Sequence, residues 1–151
     1  MRRKDLEITD RKEIDAVIEA AKVCHLAMSE AGRPYVVPMC FGYDGGSLYL
    51  HSAPAGRKIE TLKHNASVCF EITDVGDVVE ADAACNFEMK YRSVIGFGRA
   101  VFLTDPEEKR RALDCIVEQY TPKKFEYPPP MIKGVAVIKV EIEAITGKSS
   151  G

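Results

Sequence analysis

Residues 51–58 read His-Ser-Ala-Pro-Ala-Gly-Arg-Lys. A hydroxyl and an imidazole stand at one end of this segment; a glycine, a guanidinium and an ammonium stand at the other. Gly56 lets backbone N–H groups come close to an anion. Arg57 can fork onto two phosphate oxygens, and Lys58 adds a point charge. Ser52 can donate one more hydrogen bond. A helix opening here would add free N–H groups and a favourable dipole. Read this way, the segment is a phosphate-binding strand–turn–helix. A solvated basic helix start accounts for the same residues equally well, and residue types alone leave both readings open. Neither G-x-G-x-x-G nor a Walker A sequence occurs, so a Rossmann dinucleotide site and a P-loop are not supported.

Such a segment works only if its neighbours hold a strand end against a helix start. Leu48 and Leu50 alternate with Tyr49 and His51, which predicts a strand over residues 47–52. Ile59 and Leu62 share a face, which predicts a short helix or turn opening near Pro54 and reaching His64. Upstream, Thr9 or Asp10 can cap a helix whose Ile14, Val17, Ile18 and Ala21 fall on one face. Residues 23–28 read as a short buried strand, 30–33 as a turn and 35–41 as a second strand. Pro38 inside that strand cannot donate to a ladder and demands an edge position or a bulge. Tyr43-Asp44-Gly45-Gly46 is a hairpin turn signal.

Downstream, residues 66–73 read as a strand and 74–84 as an acidic loop with a brief strand at Val78-Val79. Residues 87–103 predict a long strand bent at Gly96 and Gly98. Asp105-Pro106-Glu107-Glu108 supplies a cap, a first-turn proline and acids for a helix with the stripe Ala112, Leu113, Ile116, Val117, Tyr120. Thr121-Pro122 stops it. The run Pro128-Pro129-Pro130 predicts a stiff connector, 133–145 a last strand, and 148–151 a loose tail. No strand–helix–strand rhythm repeats, which favours an antiparallel β barrel with helices packed outside, in a single domain over 1–151.

The bulk numbers narrow the function classes. The chain has 151 residues, 46% hydrophobic and 29% charged, the size and composition of one ordinary domain. A net charge of −2 gives no global basic field, which argues against a general nucleic-acid binder. Arg2-Arg3-Lys4 and Lys123-Lys124 are short and read as solvated. No run of 18 apolar residues suggests a membrane span, and the first 20 residues are too charged for a secretory signal, so a cytoplasmic protein is expected. The five cysteines, Cys24, Cys40, Cys69, Cys85 and Cys115, form no C-x-x-C pair. They suggest neither a disulfide framework nor a metal site, and most read as buried free thiols.

Four stretches carry a resemblance: Gly32-Arg33-Pro34-Tyr35-Val36-Val37-Pro38-Met39-Cys40-Phe41; Leu48 to Ala53 with Gly56-Arg57-Lys58; Tyr91 to Gly98; and Ile145-Thr146-Gly147-Lys148. The sequence resembles the FMN-binding split-barrel family of pyridoxamine 5′-phosphate oxidase-like proteins, nearest the branch with 5-nitroimidazole reductases. The resemblance implies a mostly β fold, a six- to seven-stranded antiparallel split barrel with flanking helices. It implies that Arg57 and Lys58, assisted by Ser52, bind the phosphate of flavin mononucleotide (FMN) beside Gly56. Val37, Pro38, Met39 and Phe41 would line the flavin ring, with His51 and Ala53 along its edge. It also implies a homodimer with the site shared between subunits, Ser93, Val94 and Lys148 approaching the partner's flavin. The chain has no tryptophan and no Arg-x-His-x-Arg signature, so the half of the family pattern that holds pyridoxamine phosphate is missing.

With FMN bound, the expected activity is electron transfer from NAD(P)H to a small electron-poor acceptor such as a nitroaromatic. His51 is the candidate proton-transfer residue, since histidine titrates near neutral pH; it could equally do no more than fix the ring or phosphate. His25 reads as a satisfied core residue and His64 as a solvated helix end. Two other classes remain: a flavin or haem carrier or sensor, with His51 or His64 as axial ligand, and a barrel without cofactor. Intact Ser52, Arg57 and Lys58 speak against the last.

Overall fold

The computed structural model describes residues 3–150; Met1, Arg2 and Gly151 lie outside the described residues, so the predicted Arg2 cluster and the last tail residue are not described. In chain order the elements are β1 (Glu7–Ile8), α1 (Arg11–Ala20), β2 (Cys24–Glu30), β3 (Arg33–Met39), β4 (Gly42–Tyr43) and β5 (Ser47–Ser52). There follow α2 (Arg57–His64), β6 (Ser67–Val79), β7 (Glu88–Leu103), α3 (Pro106–Glu118), α4 (Pro129–Gly134) and β8 (Ala136–Ser150). One eight-stranded antiparallel sheet runs β3-β2-β6-β7-β8-β5-β4, with β1 added beside β8. Its ladder does not close: β3 stands at one end and β4 at the other. Two of the eight, β1 and β4, are only two residues each, and the other six form the body of the expected open antiparallel barrel.

Local chemistry fixes the outer helices. Asp10 caps α1 by accepting from the Lys12 N–H at 2.9 Å, which turns Ile14, Val17 and Ile18 into the core. Asp105 caps α3 by accepting from Glu107 and Glu108 N–H at 3.0 and 2.9 Å, with Pro106 in the first turn. The core beneath is built from inward positions of the strands, among them Leu26, Leu48, Leu50, Phe70, Ile72, Val94 and Ile138, with Phe41 from the link between β3 and β4. Gly96 faces Phe70 across the β6–β7 ladder, and a Cβ there would lie 2.1 Å from the Phe70 ring. This glycine is where the ring must lie. The long strand bends where expected, with a register shift between Phe97 and Gly98. Pro38 lies on the end strand β3, its ring spared the ladder it cannot join.

Several expected boundaries move. The acidic stretch 74–84 is not mainly loop: β6 continues to Val79, with an irregularity between Val75 and Val78, because β7 supplies its backbone partners whatever the side-chain charge. The tail is not loose, since Lys148, Ser149 and Ser150 pair with Ser93, Arg92 and Tyr91. The last strand starts at Ala136 instead of 133, because the prolines open the short helix α4, where missing N–H groups cost nothing. The second strand spans Arg33–Met39 and leaves out Phe41. Only Cys24 is fully buried; Cys69 and Cys115 are half-buried, and Cys40 and Cys85 are exposed. His25 is likewise not a core residue: it lies on an outward position of β2, paired with Glu71 at 3.1 Å.

Candidate functional site

Helix α2 opens differently from α1 and α3. Its N-cap is Gly56, at φ +122° and ψ 171°, and no side chain caps the first turn. That backbone conformation is reached almost only by glycine. The first intrahelical bond runs from Glu60 N–H to the Gly56 carbonyl, so the N–H groups ahead of Glu60 have no helical acceptor. Where α1 and α3 place a carboxylate, α2 offers donors and the positive end of its dipole.

Cations gather at that opening. Arg57 lies over the ring of Tyr35, its guanidinium carbon 4.2 Å from the centroid. Lys58 Nζ lies 3.0 Å from Met39 Sδ. A thioether is a weak acceptor for an ammonium, and partial burial pushes the Lys58 pKa down. Arg33 starts the same strand. Among the described residues, none of Arg33, Arg57 and Lys58 is paired with a carboxylate. Strand β3 has β2 on one side and no strand on the other, so its outer edge leaves N–H and C=O groups unpaired beside these cations. An anion joined to a flat heterocycle with donors and acceptors along one rim matches this set: the anion at α2, the rim along β3. A flavin nucleotide has that form.

The structure thus brings Met39, Gly56, Arg57 and Lys58 together. Val37 and Pro38 lie on the same strand as Met39, half-buried and exposed, and Ser52 and Ala53 close β5 and lead into the turn before Gly56. The side chain of Phe41 does not line an open site: it is fully buried in the core. Val94 is fully buried too, so only its backbone can meet a ligand. His51 is exposed on an outward position of β5, and its ring makes no hydrogen bond to the described residues. His64 ends α2, its Nδ1 2.9 Å from the Glu60 carbonyl oxygen and 3.0 Å from Glu30 Oε1.

Ser93 and Lys148 form a second group. They are ladder partners on β7 and β8 and line a recess of about 220 Å³ with Ile95 and Thr146. From β3 to β7 is three ladder steps of about 4.8 Å, roughly 14 Å. A recess of about 480 Å³ lies elsewhere, between α3 and the outer faces of β5, β7 and β8. The α2–β3 site is therefore an open surface on one chain. Residue types alone did not point to Arg33 and Tyr35 as part of it. The signal lay in alternation, since positions 33, 35, 37 and 39 share one face of β3.

Two of the thiols are held in the protonated form. Burial pushes Cys24 up to about 12 and Cys115 up to about 11, so both stay protonated. Among the described residues no group of three or more His, Cys, Asp or Glu is placed to hold a metal ion, and no helix is long and apolar enough to cross a membrane.

Comparison with known proteins gives four findings. A family model described as pyridoxamine 5′-phosphate oxidase matches residues 10–149. A Bacteroides thetaiotaomicron protein, provisionally assigned to 5-nitroimidazole antibiotic resistance, superimposes with a TM-score of 0.87 at 39% identity, over 95% of this chain and 86% of its own. The flavocytochrome Anf3 of Azotobacter vinelandii superimposes with a TM-score of 0.88 at 26% identity, over 100% of this chain and 72% of its own. An uncharacterized Rhizobium meliloti protein is 30% identical over 69 residues, 46% of this chain and 45% of that one, so the match spans less than half of that curated relative.

Proposed function

The chain belongs to the pyridoxamine 5′-phosphate oxidase family, and from that premise we propose that it is an FMN-dependent oxidoreductase. It would pass electrons from NAD(P)H to a small electron-poor acceptor such as a nitroaromatic. The observation that carries the cofactor is the uncapped start of α2 beside cations without a carboxylate. Arg57, Lys58 and the first-turn N–H groups hold the phosphate, with Ser52 donating from the end of β5. The free edge of β3 at Val37, Pro38 and Met39 meets the rim of the ring, and His51 and Ala53 lie along its border. The bound flavin supplies the redox chemistry; the protein orients it and leaves one face open. Likeness to the 5-nitroimidazole resistance protein supports a nitroaromatic acceptor. His51 is the proton-transfer candidate of this reading.

The open site on one chain supports a homodimer in which Ser93 and Lys148 of one subunit complete the site of the other. A cytoplasmic location belongs to the same reading, because all five cysteines are free. Arg57→Ala with Lys58→Ala is expected to abolish FMN binding while the circular dichroism spectrum stays native. Each lost charge-assisted contact costs about 1.5–3 kcal/mol. Unchanged FMN affinity, measured by flavin fluorescence quenching, would sink the assignment. The visible spectrum of the purified protein decides between flavin and the haem carrier reading: flavin bands support the former, a Soret band the latter. Anaerobic bleaching by NADH or NADPH identifies the donor.

A further inference from the structure

Strands β2 and β3 pair from Glu30 with Arg33 to Cys24 with Met39, and there the ladder stops. Continued in the same register, it would bring Val23 opposite Cys40 and Lys22 opposite Phe41. Neither Lys22 nor Phe41 belongs to a strand, and among the described residues no backbone hydrogen bond joins the two. The hydroxyl of Tyr120 stands between them instead. It accepts from the Phe41 N–H at 3.0 Å and donates to the Lys22 carbonyl oxygen at 2.8 Å. A side chain from just past the end of α3 thus fills the place of a missing ladder rung. Burial pushes the Tyr120 hydroxyl up to about 12, so it keeps the proton that it donates.

The surroundings hold this hydroxyl in place. Gln119 Nε2 donates to the carbonyl oxygens of Ile18, Glu19 and Ala21, each at 3.0 Å, and ties the end of α3 to the end of α1. Lys22 Nζ donates to the Gln119 carbonyl oxygen at 3.1 Å and lies 5.7 Å from the centre of the Tyr120 ring. One residue past Phe41, a Cβ on Gly42 would lie 2.5 Å from the Cys115 carbonyl carbon, so β4 is pressed against α3.

Cys40 and Phe41 carry the chain from β3 at one end of the sheet to β4 at the other. Strand β3 has β2 on one side only, so the set of its last residues depends on what holds the chain beyond Met39. Phe41 is two residues past Met39, whose Sδ lies 3.0 Å from Lys58 Nζ. Groups that hold a ligand need positions fixed to about 0.5 Å, and supporting hydrogen bonds supply that. We propose that Tyr120 is a positioning residue for the flavin edge. Its hydroxyl sets the spread between the start of β2 and the end of β3, and with it the place of Val37, Pro38 and Met39 relative to the opening of α2. This rests on the FMN reading above and names what aligns the two halves of that site.

The test is FMN titration of the full chain, with thermal melts of the same samples and amide exchange followed by NMR. Tyr120→Phe keeps the ring and removes the relay. It is expected to speed exchange of the Phe41 amide at least about tenfold. It is also expected to raise the FMN dissociation constant about fivefold or more, with a native circular dichroism spectrum. Gln119→Ala is the control, because its side chain bonds to α1 and to nothing in β3 or the link after it. It is expected to lower the melting temperature at least as far, yet to leave FMN affinity within about twofold of wild type. Unchanged Phe41 exchange or unchanged FMN affinity in Tyr120→Phe overturns the role of Tyr120 alone. Affinity losses in both variants that simply track lost stability overturn it too. A wild type that binds no FMN overturns the flavin reading itself, so the two failures are told apart.

Discussion

The ammonium of Lys58 faces a thioether and the guanidinium of Arg57 faces an aromatic ring. Both partners accept a cation without neutralising it, which leaves both charges for an anion. Gly56 holds the backbone that aims them. At φ +122° an added Cβ meets no neighbour, so a substitution there strains the backbone and clashes with nothing. Gly56→Ala therefore isolates the conformational requirement. It is expected to cost about 1–3 kcal/mol of stability and to weaken FMN binding by turning the first N–H groups of α2 away from the phosphate. Thermal melts and FMN titrations measure the two losses side by side. If both curves superimpose on wild type, the left-handed cap does not organise the site.

At the scale of elements, the turn into β5 is held by one carboxylate. Asp44 accepts from Gly46 N–H at 2.9 Å, Ser47 N–H at 2.7 Å and the Tyr49 hydroxyl at 2.7 Å. Partial burial works against its charge, but the bonds from Gly46, Tyr49 and Ser47 prevail and hold its pKa below the usual carboxylate value. A lowered folded pKa means stability that is fully present above the unfolded value of about 3.9 and lost as pH falls through the folded one. Asp44→Asn is thus expected to lower the melting temperature at neutral pH while reducing the further loss on acidification below pH ~4. Melting curves from neutral pH downward check this; a gap that stays constant with pH would contradict it. The turn was legible in the sequence because Asp-Gly-Gly acts locally. The caps at Asp10 and Asp105 were legible for the same reason. The extension of β6 to Val79 and the pairing of Lys148–Ser150 were not, because their stabilising partners on β7 lie far away in sequence. The candidate site divides in the same way. Residues 51–58 could be read as one contiguous segment, whereas Arg33 and Tyr35 join it only once β3 stands against α2.

Across the whole molecule, the outer face of the sheet carries a transverse row. Val36 on β3, Ala27 on β2, Cys69 on β6, Phe97 on β7 and Ala144 on β8 are successive ladder partners. Val36 is 59% exposed, Phe97 is 55% and the neighbouring Ile95 is 43%. Apolar side chains in register over five strands form a continuous surface suited to its own two-fold copy. Ser93 and Lys148 lie on this same face two residues along β7 from Ile95, so a partner seated on the row would meet them. Phe97→Asp puts a charge in the middle of the row without touching Arg57, Lys58 or the core. If the flavin site is shared, the variant is expected to sediment as a monomer at micromolar concentration and to bind FMN at least about tenfold more weakly, a loss of about 1.4 kcal/mol. Its secondary structure should remain native, because Phe97 is exposed in the single chain. A monomeric variant that binds FMN with full affinity would show that one chain builds the whole site. A variant that stays dimeric would place the subunit contact on another face.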